Sequence, residues 1–174
     1  AKDEKKSTTQ IGHHNYLMTS SHVAHDCHVG NHVIFANMAS IAGFVTVGDH
    51  AILGAFSGVH QFVNIGAYSF LGRGAKVYQD ILPYMLATGN PAYPVTLNKV
   101  GLRRNNFSAM VRSVLKEAFS ILYRAPLSKQ EAHCALESLY KENPEVAEIK
   151  LILEALVDSK RGVARKPVKT DKVA

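Results

Sequence analysis

Between Ile11 and Val77 every sixth residue is apolar: Ile11, Leu17, Val23, Val29, Phe35, Ile41, Val47, Leu53, Val59, Ile65, Leu71 and Val77. With 47% of the chain hydrophobic, twelve such residues in one preset register arise by chance roughly once in ten thousand. The following residue is Gly or Ala in nine of the twelve hexads. The residue two places earlier is also mostly small: Ser21, Cys27, Val33, Ala39, Val45, Ala51, Ser57, Val63, Ser69 and Ala75. A period of six fits neither an α-helix nor a half-buried strand. It is the pattern of a parallel β-helix, in which three short faces make one triangular coil of eighteen residues. The aliphatic and small residues then point inward, and stacked coils satisfy each other's backbone groups at a spacing of about 4.8 Å. Residues 11–82 therefore predict four coils, behind a polar lead-in at 1–10.

After Pro83 the repeat stops. Gly89, Asn90, Pro91 and Pro94 make residues 83–100 read as a turn-rich linker. A helical period follows, with Phe107, Met110, Val111, Val114, Leu115, Ala118 and Leu122 near one face. Ser128 and Glu131 form a capping-box pattern for a second helix. Asn143-Pro144 reads as the start of a third, with Leu151, Leu153 and Leu156 on its apolar side. The layout is thus a mainly β solenoid, a small helical domain at 101–160 and a basic tail at 161–174. The run Lys160–Lys172 holds six Lys or Arg against one Asp, so much of the +6 formal charge is expected in a solvated, disordered end. No basic run interleaves with aromatics, which argues against nucleic acid. No stretch of about 18 apolar residues is present, so no membrane-spanning helix is expected. Two cysteines without metal-type spacing fit a reducing cytoplasm, and the polar start is not a signal peptide.

Residues eighteen apart share a column. His25, Gly43, Gln61 and Gln79 make one on an outward position, with His22 three residues earlier and His60 beside Gln61. An imidazole takes a proton from a hydroxyl near neutral pH, and Asp26 follows His25 to orient it or to stabilise the imidazolium. Gly43 offers a bare backbone N–H, suited to an oxyanion formed when a thioester carbonyl is attacked. His22, His25 and His60 could also ligate Zn²⁺, but no metal is assigned. Cys27 holds an inward position and reads as a core thiol.

The run Ser21-His22-Val23-Ala24-His25-Asp26-Cys27-His28-Val29-Gly30 closely resembles the catalytic segment of the UDP-N-acetylglucosamine O-acyltransferases of lipid A synthesis. Ile41-Ala42-Gly43, Val59-His60-Gln61-Phe62, Gln79-Asp80, Pro83-Tyr84, Gly89-Asn90 and Gly101-Leu102-Arg103-Arg104 continue the likeness in order, over about residues 10–160. The resemblance implies a left-handed winding and a homotrimer with sites between neighbouring prisms. It implies direct transfer of a 3-hydroxyacyl chain from acyl carrier protein to the sugar 3-hydroxyl, without a covalent enzyme intermediate. The donor would carry its acyl chain as a phosphopantetheine thioester, and no tightly bound cofactor is expected. Carried across by motif, His25 is the general base and Gly43 the oxyanion donor. His22, His60 and Gln61 would contact sugar, phosphate or acyl groups, and Asn98 and Arg104 would reach the nucleotide.

This chain departs from the family pattern at Phe44, where a histidine is usual, at Val100, where an acid is usual, and at Asn105, the second residue of a basic pair. These changes bear on sugar and nucleotide recognition. Family members also begin with several more coils, so the resemblance implies that the chain is one piece of a longer protein. Thr19, Asn37, Ala55 and Arg73 share another outward column. The family position matching Arg73 is often glycine, and a larger residue there shortens the accepted chain. Arg73 is therefore expected to close the acyl groove at roughly ten to twelve carbons, unless it turns away to pair with a carboxylate. Arg103 and Arg104 offer a basic surface to the acidic carrier protein. Two other readings are a sibling N-acyltransferase of UDP-sugars and a non-catalytic trimeric scaffold. The helical domain after Pro91 favours the O-acyltransferase.

Overall fold

The structure, a computed structural model, describes residues 8–166. Twelve two-residue strands recur every six residues: β1 (Gln10–Ile11), β2 (Tyr16–Leu17), β3 (His22–Val23), β4 (His28–Val29), β5 (Ile34–Phe35), β6 (Ser40–Ile41), β7 (Thr46–Val47), β8 (Ile52–Leu53), β9 (Gly58–Val59), β10 (Asn64–Ile65), β11 (Phe70–Leu71) and β12 (Lys76–Val77). They stack in parallel as three faces. The first is β1-β4-β7-β10, the second contains β2-β5-β8-β11, and the third is β3-β6-β9-β12. Each pairing joins residues eighteen apart, such as Ile11 with Val29 and Val23 with Ile41.

The second residue of each strand points inward, as the period requires. Phe35, Ile41, Val47, Leu53, Ile65, Leu71 and Val77 are essentially inaccessible, as are the small residues Cys27, Ala39, Ala51, Ser57, Ser69 and Ala75. Ile11 and Leu17 hold the same columns in the first coil but are about half exposed, with no described coil stacked beyond them. At each corner one residue takes a left-handed conformation: His14, Ser20, Asp26, His32, Met38, Phe44, His50, Phe56, Phe62, Tyr68 and Gly74. Only one of these is glycine, although left-handed backbone at other residues costs of order 1 kcal/mol or more. Two features offset the cost. The corner N–H donates to the coil below, as from Phe44 to the His25 carbonyl at 3.1 Å. The side chains also stack between coils. His14, His32, His50, Tyr68 and Tyr84 form one ring ladder, with neighbouring centroids 4.6 to 5.8 Å apart.

Residues 83–100 are not a linker. β13 (Met85–Gly89) pairs with β11 in parallel, and β14 (Ala92–Leu97) returns antiparallel to it, so the second face has six strands. The turn residues that masked these strands sit at the hairpin tip, and Pro94 is tolerated because β14 is an edge strand. A short helix, α1 (Lys99–Arg104), follows. α2 (Ala109–Tyr123) starts after the Ser108 cap, which leaves Phe107 outside the helix, packed on Tyr68 and Tyr84, and Met110 exposed. α3 (Lys129–Glu142) has the expected capping box of Ser128 and Glu131. α4 (Glu148–Val157) begins four residues later than Asn143-Pro144 suggested. Asn143 instead closes α3, its amide donating to the Leu139 carbonyl at 3.0 Å. Ile149 and Ile152 are the buried residues of α4, Leu153 and Leu156 pack at the margin of the core, and Leu151 is exposed.

The first part of the expected tail is also ordered. Val163 bridges to Asp80, and the Asp80 backbone exchanges hydrogen bonds with Gly162 and Ala164 at 2.9 Å each. The buried Asp80 carboxylate accepts from Asn64 N–H at 2.7 Å and from the Ser159 hydroxyl at 2.6 Å. One side chain thus joins the solenoid to the stretch after α4. Residues 1–7 of the lead-in and 167–174 of the basic tail lie outside the described residues. Among the described residues no helix is long and apolar enough to cross a membrane.

Candidate active site and the family it belongs to

His25 stands at the corner between the third and first faces, immediately before the left-handed Asp26. Its Nδ1 lies 2.7 Å from Asp26 Oδ2. The carboxylate is largely covered and the ring largely exposed. Pairing at Nδ1 leaves Nε2 as the nitrogen that faces outward chemistry. The ring rests against Gly43 in the next coil: a Cβ on Gly43 would come within 2.6 Å of Cε1 and 2.7 Å of Nε2. Glycine is therefore needed at this corner for space. The Gly43 N–H donates to no other group among the described residues. The Phe44 ring meets the His25 ring edge-on at 5.3 Å and stacks on Phe62 at 4.9 Å, and both phenylalanines are about half exposed.

Gln61 continues the same corner column and is exposed. His60 precedes it, with Nδ1 3.2 Å from the Gln61 carbonyl. His22 projects from the third face two coils before His60. Cys27 is buried, with its thiol on the Ala42 carbonyl at 3.1 Å, and burial pushes its pKa up, as suits a core thiol. Among the described residues no three His, Cys, Asp or Glu side chains gather as a metal site.

The nucleotide candidates lie elsewhere. Asn98 and Arg104 line a cavity of about 470 Å³ on the second face, with Ile52, Phe70, Val100 and Asn105. Asn98 is buried and already paired through both amide atoms: Nδ2 donates to the Tyr68 carbonyl at 2.9 Å, and Oδ1 accepts from Gly101 N–H at 3.0 Å. It is the N-cap of α1, a role that Asn shares with ligand contacts and that the sequence did not separate. Arg104 is exposed, without an ion pair among the described residues. In a triangular prism the corner carrying His25 is opposite the second face. One chain therefore does not bring the two groups together. Arg73 stands at the third corner, between the second and third faces, with its guanidinium 5.3 Å from the centre of the Phe56 ring. It lies over an aromatic ring and pairs with no carboxylate among the described residues.

Comparison with known proteins bears on both parts of the chain. Residues 8–43 match the bacterial transferase hexapeptide family (six repeats), and residues 80–164 match the second domain of UDP-N-acetylglucosamine O-acyltransferase. A relative from Syntrophobacter fumaroxidans, an acyl-[acyl-carrier-protein]–UDP-N-acetylglucosamine O-acyltransferase, is 45% identical over 161 residues, 92% of this chain and 61% of its own length. A protein of the same name from Tolumonas auensis is 50% identical over 162 residues, 93% of this chain and 60% of its own. The UDP-N-acetylglucosamine O-acyltransferase structure from Moraxella catarrhalis superposes with a TM-score of 0.85 at 39% identity, covering 90% of this chain and 60% of that one. The fold and these matches define a left-handed hexapeptide-repeat solenoid with a helical C-terminal domain. More narrowly, the chain belongs to the UDP-N-acetylglucosamine O-acyltransferase family. It spans about three fifths of the length of the curated relatives it matches.

Proposed function

We propose that this chain serves an acyltransferase that moves a 3-hydroxyacyl group from acyl carrier protein to the 3-hydroxyl of UDP-N-acetylglucosamine, the first step of lipid A biosynthesis. The observation that carries the reading is His25, held by Asp26 at Nδ1 and laid against Gly43. His25 Nε2 takes the proton of the sugar hydroxyl as its oxygen attacks the thioester carbonyl. Gly43 N–H donates to the oxyanion of the tetrahedral intermediate. Collapse breaks the carbon–sulfur bond, and the departing phosphopantetheine thiolate takes the proton from the imidazolium. Asp26 keeps the imidazole in the tautomer that leaves Nε2 unprotonated at the start. The chemistry needs no tightly bound cofactor, since the carrier protein brings the thioester.

The nucleotide end of the acceptor would sit in the second-face cavity, against Arg104 and beside the Asn98 cap. The His25 corner of one subunit must then face the second face of a neighbour, and closed three-fold packing does this for every corner. We assign a homotrimer on that argument, working in the cytoplasm, where acyl carrier protein is found. Arg103 and Arg104 present positive charge to that acidic partner, so kcat/KM should fall as salt rises. The test is direct. The full-length protein, given 3-hydroxyacyl carrier protein and UDP-N-acetylglucosamine, should form an O-linked product and free carrier thiol. Absence of product with active carrier would overturn the reading, and an amide product from an amino-sugar acceptor would replace it with N-acylation.

A further inference from the structure

The third face carries a feature that the proposed chemistry leaves unused. Its outward column reads His22, Ser40, Gly58, Lys76, in register through three successive pairings. The parallel outward column two residues on reads Ala24, Ala42, His60, Tyr78. Small side chains therefore floor the middle of the face, while Lys76, His60 and Tyr78 stand at one end and His22 at the other. The result is an open trough of about 430 Å³ running along the solenoid axis. His22 lines the other end of the trough, three residues before the candidate base at the adjoining corner.

Lys76 is placed for a purpose within this trough. Its side chain leans back over Gly58, where an added Cβ would lie 3.3 Å from Nζ and 3.5 Å from Cδ. The ammonium donates to the Phe56 carbonyl at 3.2 Å and keeps further N–H donors for a ligand. Among the described residues no carboxylate lines the trough, while a lysine and two histidines do. A lysine without an acidic partner among the described residues, held over a glycine at one end of a small-residue channel, suits an anion on an extended ligand.

We propose that this trough is a binding site for a phosphate ester, with Lys76 as its counter-charge and a specificity-determining residue of the enzyme. The inference rests on the acyltransferase reading for the identity of the ligand. Both substrates in that reading carry phosphate: the phosphopantetheine arm of the donor and the diphosphate of the acceptor. A slender arm laid along the small-residue floor would bring its thioester end toward His25.

Calorimetric titration of the full-length protein tests this with three probes: 4′-phosphopantetheine, pantetheine without the phosphate, and UDP. The comparison uses the unmodified protein, Lys76→Met and Lys76→Arg. Lys76 is exposed, so matching thermal unfolding curves should show intact folds. The expected result is about tenfold weaker binding of a phosphate probe by Lys76→Met, retention within about threefold by Lys76→Arg, and no change for pantetheine. Loss confined to 4′-phosphopantetheine assigns the trough to the donor, and loss confined to UDP assigns it to the acceptor. Unchanged affinity for both phosphate probes, no binding of either, or an equal loss for pantetheine overturns the proposal. These readouts are binding constants, so they are separable from the acyl-transfer assay. An enzyme that turns over normally yet binds every probe independently of Lys76 sinks this inference alone.

Discussion

His25 and Gly43 form a pair in which each limits the other. The imidazole occupies the volume that a Cβ at Gly43 would need, and its far nitrogen is committed to Asp26. His25→Ala removes the proposed proton acceptor and should lower kcat by about 10²–10⁴ with the fold intact. A variant of the full-length enzyme keeping more than about half its activity would exclude His25 as the base. Gly43→Ala keeps the N–H but drives the ring aside. A displacement of about 1 Å should cost about tenfold to a hundredfold in kcat, with KM for the nucleotide sugar little changed. Equal loss in both parameters would point to a collapsed cleft instead. Arg73 is defined by different neighbours. Its guanidinium lies over Phe56 at the corner where the acyl groove is expected to run, and burying that charge against a lipid tail is costly. Arg73→Gly should shift preference toward donors longer than about twelve carbons, read as relative kcat/KM across a donor series. Faster turnover of a fourteen-carbon than a twelve-carbon donor by the unmodified enzyme would remove Arg73 as the stop.

The β-hairpin, the ring ladder and the Asp80 junction extend the fold beyond what the hexads specify. Asp80 receives Asn64 N–H and the Ser159 hydroxyl in a buried position. Asp80→Ala leaves both donors unpaired and should cost about 2–4 kcal/mol in urea unfolding, while Asp80→Asn, which keeps an acceptor for Asn64, should cost less than half of that. A loss below about 0.5 kcal/mol for the alanine variant would mean that the junction is not stabilising. In the ring ladder, burial first and the nearby His32 second hold the His50 pKa below its usual 6.5, with Asp49 acting against them. The unfolded imidazole then takes a proton before the folded one does. The contribution of His50 to stability is complete above about pH 6.5 and declines as pH falls below it. His50→Phe keeps a ring for stacking on Tyr68 and should flatten the decline in Tm between pH 7 and pH 5. An unchanged slope would clear His50 of this role. The sequence made the solenoid legible because a six-residue period is enforced by every coil, and the His25–Gly43–Gln61 column follows by counting eighteen. It hid β13 and β14 because Gly89, Asn90, Pro91 and Pro94 signal turns locally, while the parallel partner β11 supplies the strand from a distance. It hid the ordered start of the tail for a related reason: Asp80 and Ser159 are far apart in the chain, and no local pattern announces their bond.

The second-face cavity with Arg104 and the corner with His25 lie on opposite sides of one prism, so assembly decides whether they form a site. Three-fold packing would cover the half-exposed Phe44 and Phe62 and present each corner to a neighbouring second face. Sedimentation of the full-length protein should therefore give a trimer. A sharper measurement asks which chain supplies which group. His25→Ala damages only the corner, and Arg104→Ala damages only the second face. Each homotrimer should be nearly inactive, because every interface contains the damaged element. Co-expressed in equal amounts, subunits mix, and an interface is intact when the corner comes from an Arg104→Ala subunit and the face from a His25→Ala neighbour. Random mixing makes both choices right with a probability of one half each, so the mixed population should recover about a quarter of the unmodified activity. A site contained within one chain predicts no recovery, since every chain then carries one lesion. Two differently tagged subunits, purified through both tags, remove the homotrimers and should raise the recovered activity to about one third, since each mixed trimer holds one intact interface in three. Activity staying at the level of the separate variants, with mixed trimers present, would rule out a site shared between subunits.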